Sequence, residues 1–259
     1  KRQADYEYIH YTLVGADVYF VCNQTEEARS VPLAFRVSGK QPELWNPLTG
    51  EITTVGAFRQ VDGRTLIPME FDPHGSCFVF FRAAIPATQQ GTAPSNYPLL
   101  KTVAEAGGPW QVGFDKGWGG PESIVFNALT DWTQHADEGI RHYSGKATYT
   151  NTFDTTPIPG KRYWLRLNRV ADTGIAAVRL NGRDLGVTWT KPFRIEMTDA
   201  LKTGKNRLEI TVVNSWRNRL VGDRGRPQAE RYTQTNITIK GNWKLQPSGL
   251  LGPVEVLSD

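Results

Sequence analysis

Between Tyr163 and Trp216 the sequence alternates apolar and polar residues with a period of two, and its turn chemistry leaves few folds open. Leu165 and Leu167 alternate with Trp164, Arg166 and Asn168, the pattern of a strand with one buried face. After a break at Asp172 to Gly174, Ala176, Val178 and Leu180 face one way, and Asn181-Gly182 sits between two apolar runs. An Asn-Gly pair tolerates positive φ at both central positions, which predicts a type I′ hairpin returning through Asp184-Leu185-Gly186-Val187. Phe193, Ile195 and Met197 alternate again, and Leu208, Ile210 and Val212 form a further strand beyond the loop Lys202 to Asn206. Repeated short strands with Gly and Asn turns predict an all-β chain, with a β-sandwich or jelly roll here.

The rest of the chain divides around that region. Residues 1–84 carry strand-like runs at Asp17 to Cys22, Ser30 to Val37, Glu43 to Trp45, Glu51 to Val55, Thr65 to Phe71 and Ser76 to Arg82. They are separated by turn sequences such as Asn46-Pro47-Leu48-Thr49-Gly50 and Asp72-Pro73-His74-Gly75, and nothing has helical period, so a small antiparallel β-sandwich is expected. In 85–108, Pro86, Pro94 and Pro98 mix with Thr, Gln, Gly and Ser and the periodicity disappears, which predicts a surface linker. Residues 109–259 form the second unit: a strand at Trp110 to Phe114, a glycine loop at Gly117 to Pro121 and a polar loop at Asp131 to Arg141. A strand at Tyr143 to Phe153, the central strands, an arginine-rich loop, and strands at Thr235 to Ile239 and Pro253 to Leu257 follow.

Composition limits the function classes. Apolar residues make up 39% of the 259 and charged residues 22%, which fits a globular chain, and no apolar run approaches the ~18 residues of a spanning helix. A net charge of +4 spread over many segments gives no nucleic-acid footprint. Arg217, Arg219, Arg224, Arg226 and Arg231 do gather, but in a Gly- and Pro-bounded loop they read as a solvated face. Cys22 and Cys77 lie in strand runs and read either as a pair or, by default, as buried thiols. Lys1 to Asp5 has no apolar signal core, and the immediate entry into a strand at Tyr6 to Tyr11 suggests part of a longer polypeptide.

Taken in order, several fragments of the second unit resemble the galactose-binding-like jelly roll of family 2 glycoside hydrolases. They are Trp132-x-x-His135, Tyr143-Ser144-Gly145, Val178-Arg179-Leu180-Asn181-Gly182, Pro192-Phe193-Arg194-Ile195, Val213-Asn214-Ser215-Trp216 and Trp243 ahead of Ser248-Gly249-Leu250. In the first unit, Asp5-Tyr6-x-x-Ile9-His10, Asp17 to Asn23 and Pro42 to Glu51 resemble the β-domain that follows the catalytic barrel in large α-L-rhamnosidase-type enzymes of family 106. The resemblance covers nearly the whole chain but not a barrel. It implies a catalytic barrel in the same polypeptide, a carbohydrate partner, no nucleic acid or membrane partner, and a periplasmic or secreted location.

Glycoside hydrolysis needs two opposed carboxyl groups, one held protonated. Glu122, Asp131, Asp137 and Glu138 are acids near the polar loop that holds His135 and His142, but no cleft is implied around them, so no catalytic residue is assigned. His135, Asp137, Glu138 and His142 match no zinc spacing. Jelly rolls often hold one structural calcium through loop carboxylates, for which Asp137 and Glu138 are the weak candidates. Sugar recognition asks for an aromatic platform beside directed hydrogen-bonding groups. The candidates are Trp132, Trp189, Trp216 and Trp243 with Asp131, His135, Asn214 and Asn242, whereas Tyr149, Trp164 and Phe193 are expected to fill the core. The family 2 resemblance points specifically to Asp131 and Asn242 as sugar-subsite positions. The expected function is a non-catalytic accessory or sugar-binding region; the alternatives are an independent carbohydrate-binding module and a structural scaffold.

Overall fold

A computed structural model describes residues 5–171 and 173–259, and the chain separates into two compact units, 1–99 and 100–259. The expectations for Lys1 to Ala4 and for Asp172 lie outside the described residues.

The first unit contains β1 (Tyr6–Leu13), β2 (Ala16–Asn23), β3 (Arg29–Phe35), β4 (Lys40–Trp45), β5 (Ile52–Thr54), β6 (Arg59–Val61), β7 (Arg64–Phe71) and β8 (Ser76–Ala84). They form two antiparallel sheets, β1-β2-β8-β4-β5 and β3-β7-β6. Tyr19, Val21, Phe35, Leu44, Ile67, Met69, Val79 and Phe81 close the core between them. Cys22 and Cys77 are free. Val21 pairs with Cys77, which places Cys77 on the core face with Val21, while the neighbouring Cys22 projects to the other face; a disulfide between them is ruled out by the pleat. Burial pushes the Cys77 thiol up to about 12, so it behaves as a small apolar core residue.

The expected linker, 85–108, is instead shared between the units. Asn96 Oδ1 accepts from the backbone of Gly56 and Ala57, Gly91 N donates to Phe58 O, and Tyr97 packs on the first core. These bonds are made by side-chain amides and backbone, so the stretch shows no hydrophobic period although it is well tied down. From residue 101 the chain enters the second unit as a strand.

That unit begins with β9 (Lys101–Glu105), β10 (Trp110–Phe114), β11 (Ile124–Phe126), the short helix α1 (Glu138–Arg141) and β12 (Lys146–Thr155). It continues through β13 (Tyr163–Arg166), β14 (Val170–Ala171), β15 (Ile175–Leu180), β16 (Arg183–Thr188), β17 (Arg194–Glu196) and β18 (Gly204–Val213). Helix α2 (Arg217–Asp223), β19 (Gly249–Leu250) and β20 (Glu255–Ser258) complete it. A six-stranded sheet, β11-β10-β12-β18-β15-β16, and a four-stranded sheet, β17-β13-β20-β9, contribute the two walls of one core. The alternation read from Leu165 to Val212 is the inward face of these walls. Leu165, Leu167, Ala176, Val178, Leu180, Leu208, Ile210 and Val212 have no exposed surface. Asn181 and Gly182 adopt φ of 52° and 84°, and β15 and β16 pair around them, as a type I′ hairpin requires. Tyr149, Trp164 and Phe193 are core residues as expected.

Two expectations fail. Thr235 to Ile239 is not a strand: Ile237 remains 56% exposed, so the alternation has no buried face to satisfy. The arginine-rich loop opens with α2, whose buried residues are Asn218, Arg219 and Asp223. A helix that buries polar residues shows no apolar stripe, which is why hydrophobic periodicity could not reveal it.

Candidate functional site

The register of the six-stranded sheet gathers the long loops at one end. Phe114 pairs with Ala147, Lys146 with Val213, Ile175 with Val213 and Ala176 with Thr188. The connections 115–145, 173–174, 189–193 and 214–248 therefore all leave the same rim, and every sugar-contact candidate falls on them.

They divide sharply by depth. Trp132 is completely buried, with its indole N–H donating to Tyr149 Oη at 2.6 Å and its ring edge-on to Phe114 and Tyr143. It is a core residue and presents no face to a ligand, because its 3-10 turn is pinned from both sides. Asp131 Oδ1 caps that turn by accepting from Thr133 N at 2.9 Å and also accepts from Ser248 N at 3.0 Å, and Trp132 N donates to Ser248 O. Packing against Trp132 also requires glycine at 249, where φ is 106° and a Cβ would lie 2.5 Å from the indole nitrogen.

Asn214 is 7% exposed and is likewise spent within the protein. Its amide donates to Tyr143 O and Ser248 Oγ, and its carbonyl accepts from Gly145 N. Asn218 repeats the pattern one turn later, exchanging bonds with Gln246 and donating to Ser248 Oγ. Ser248 is thus the node through which the 131, 214 and 218 segments hold the returning chain. His135 stacks on Phe126 and its Nδ1 accepts from Asp137 N.

The other candidates are accessible. Trp189 is 58% and Trp216 is 53% exposed. Trp216 meets the half-buried Trp118 edge to face at 4.9 Å, and the Arg217 guanidinium lies 4.8 Å over the ring of the half-buried Trp243. Asn242, next to Trp243, is exposed. Indole faces with arginine and amide groups close by suit the C–H faces and hydroxyls of a sugar.

The acids of the polar loop serve its local structure. Asp137 Oδ1 caps α1 by accepting from Gly139 N and Ile140 N, and Glu138 is exposed in the first turn of that helix. Among the described residues Asp137 and Glu138 belong to no group of three or more His, Cys, Asp or Glu side chains that could hold a metal ion. His142 is held below its ordinary pKa, first by burial and then by the nearby Arg219 and Arg141, so it stays neutral to lower pH than a free histidine.

The residue that sequence reasoning missed is Arg219. Placed among solvated arginines, it is in fact fully buried, donating from Nη2 to Trp118 O at 2.8 Å and Gly139 O at 3.2 Å. Its guanidinium lies 4.4 Å from the centre of the Tyr232 ring, and its backbone N–H donates to Ser144 Oγ. Asp223, one turn on, accepts from Thr233 N and Oγ1 through Oδ2. Arg219 Nε and Asp223 Oδ1 are both buried without a protein hydrogen-bond partner. One arginine therefore anchors the Trp118 loop, on which Trp216 rests, the start of α1 and the Tyr232 segment.

Residues 1–60 match the family profile described as alpha-L-rhamnosidase. The solved rhamnosidase of Novosphingobium sp. PP1Y is 37% identical with a TM-score of 0.88, over 97% of this chain and 24% of that one. A putative beta-glucuronidase of Formosa agariphila is 32% identical over 174 residues, covering 58% of this chain and 15% of that protein. The beta-D-glucuronidase of Dictyoglomus thermophilum, at 19% identity and a TM-score of 0.43 over 64% of this chain, adds nothing further. The chain spans only a fraction of the length of each relative. It resembles one part of a rhamnosidase-type glycoside hydrolase and is a glycoside hydrolase-related region with an all-β fold.

Proposed function

We propose that this chain is a non-catalytic accessory region of an α-L-rhamnosidase-like glycoside hydrolase that acts on plant or microbial polysaccharide, periplasmic or secreted. The rim of the second unit contacts the glycan, and a catalytic barrel elsewhere in the same polypeptide cleaves it. The observation that carries this reading is the pair of exposed indoles, Trp189 and Trp216, on the same rim as Trp243 and Asn242, with the neighbouring carboxylate oxygens of Asp131 and Asp137 engaged in capping helical turns. Of the sugar-contact candidates, Trp189, Trp216, Trp243 and Asn242 are contact residues in this proposal, whereas Asp131, Trp132 and Asn214 shape the rim from beneath and His135 flanks it.

Kinetics of the full polypeptide test the division of labour. The double variant Trp189→Ala, Trp216→Ala is expected to raise KM for a polymeric substrate by about ten-fold, equivalent to ~1.4 kcal/mol, with kcat nearly unchanged. Turnover of an aryl α-L-rhamnoside by residues 1–259 alone, abolished by Asp131→Ala or Glu138→Ala, would overturn the non-catalytic assignment. The same exposed indoles support a second reading, an independent carbohydrate-binding module. In that case the variant weakens glycan binding by the chain itself but leaves hydrolysis of short aryl glycosides by the full polypeptide untouched.

A further inference from the structure

An antiparallel sheet that covers a core on one face is ordinarily polar on the other. The five-stranded sheet of the first unit is not. The register aligns Ile9 with Phe20, Phe20 with Phe78, Phe78 with Trp45, and Trp45 with Ile52, a row across all five strands on the face opposite Tyr19 and Val79. Phe20 and Phe78 are in ring contact at 4.9 Å, and Trp45 stacks on Phe80 from the next row at 4.0 Å. Ile9 and Ile52, at the two edges, remain 52% and 50% exposed, and Tyr11 beside Ile9 is 59% exposed. Polar groups flank this row: Glu7 and Ser76 lie at one end of the face, and towards the other Arg82 pairs with Glu43 and lies over Trp45. A continuous aromatic face of this kind marks a surface that is covered in the assembled protein.

Two observations identify the cover. The stretch matched by the alpha-L-rhamnosidase profile, residues 1–60, contains β1, β2, β4 and β5, four of the five strands that build this face, and none of the second unit. The similar solved rhamnosidase spends 24% of its length on the counterpart of this chain, so most of that polypeptide lies outside it. We infer that the outer face of β1-β2-β8-β4-β5 is the docking surface for the catalytic body of the same polypeptide, which seats an apolar surface on the Ile9 to Ile52 row. This rests on the accessory-region reading above and adds to it which face holds the two parts together. The interface is intramolecular, so apolar burial drives it without a loss of translational freedom.

The face can be tested without mutation, because β1 carries its own control. Tyr8 and Tyr11 are 60% and 59% exposed but project from opposite sides of the strand. Hydroxyl-radical footprinting of the full polypeptide is expected to label Tyr11 roughly five-fold or more weakly than Tyr8, since a side chain covered by the docked body is shielded from water. Ile9→Lys with Ile52→Lys should restore Tyr11 labelling and lower the melting temperature of the full polypeptide. Equal labelling of the two tyrosines in an active rhamnosidase would overturn the docking assignment and leave the accessory reading standing. Protection of Tyr11 that disappears when a dimer is diluted to monomer would give the face to a second copy and also overturn it. A full-length polypeptide with no catalytic body would remove both readings.

Discussion

Aromatic side chains reach the surface in both units, but in different settings. In the first unit they stand in rows on one face of a sheet, ring against ring, with an Arg82–Glu43 pair beside them. In the second they stand on loops, with Trp216 edge-on to Trp118 and Trp243 beneath the Arg217 guanidinium, next to Asn242. An apolar sheet face complements another protein surface, whereas loop indoles with polar neighbours complement a sugar. A second contrast runs within the rim itself: Trp132 and Trp216 are both tryptophans next to loops, yet one is inaccessible and the other 53% exposed. Exposure alone therefore does not define a binding residue; what surrounds the ring does.

Substitutions along the rim can break or sharpen this contrast. Trp132→Ala should have the largest effect, a loss of about 4 kcal/mol in chemical denaturation, because it opens a core cavity and strands the Tyr149 hydroxyl. Arg219→Met follows at about 3 kcal/mol, since Trp118 O and Gly139 O lose a charged donor. It should also alter the fluorescence of Trp216, because the Trp118 loop on which that indole rests loses its anchor. Asn214→Ala is expected to cost about 2 kcal/mol by leaving Gly145 N and Tyr143 O without partners. Trp216→Ala should change stability by less than about 0.5 kcal/mol, as exposed sites do. If Trp216→Ala destabilised the fold as much as Trp132→Ala, the division into buried supports and exposed contacts would fail.

The smallest effect is electrostatic and lies away from the rim. Burial works to raise the pKa of Glu255, but hydrogen bonds from Asn168, Arg166 and Thr102 outweigh it and hold the carboxyl below the ordinary glutamate value. A depressed folded pKa means stability that is present above the unfolded value, about 4.3, and is lost as pH falls through the folded one. The denaturation midpoint should drop in that acid window, and Glu255→Gln should flatten the drop.

What the sequence revealed follows from which signals are local. The Asn181-Gly182 hairpin and the inward face from Leu165 to Val212 were legible because turn chemistry and period-two burial are written in adjacent residues. Helix α2 was not, since its buried face is Asn218, Arg219 and Asp223, and only tertiary partners such as Trp118 O and Gln246 explain why they are inside. The tie between 86–98 and the first core was hidden for the same reason, being made by the amides of Asn96 and Gln90. In the first unit the uninterrupted run Val18-Tyr19-Phe20-Val21 places apolar side chains on both faces of β2. Which of the rim residues would reach solvent could not be read at all, because Asp131, Trp132 and Asn214 share their sequence setting with Trp216 and Asn242, and depth is decided by the returning segment at Ser248.

Titration calorimetry with rhamnose-containing polysaccharide fragments, comparing the chain with its Trp216→Ala and Trp189→Ala variants, tests the central claim most directly. Measurable binding by the parent chain that falls about ten-fold or more in either variant, with unchanged unfolding curves, is the predicted result. Binding that both variants retain in full would contradict the assignment of the exposed indoles as the glycan contact.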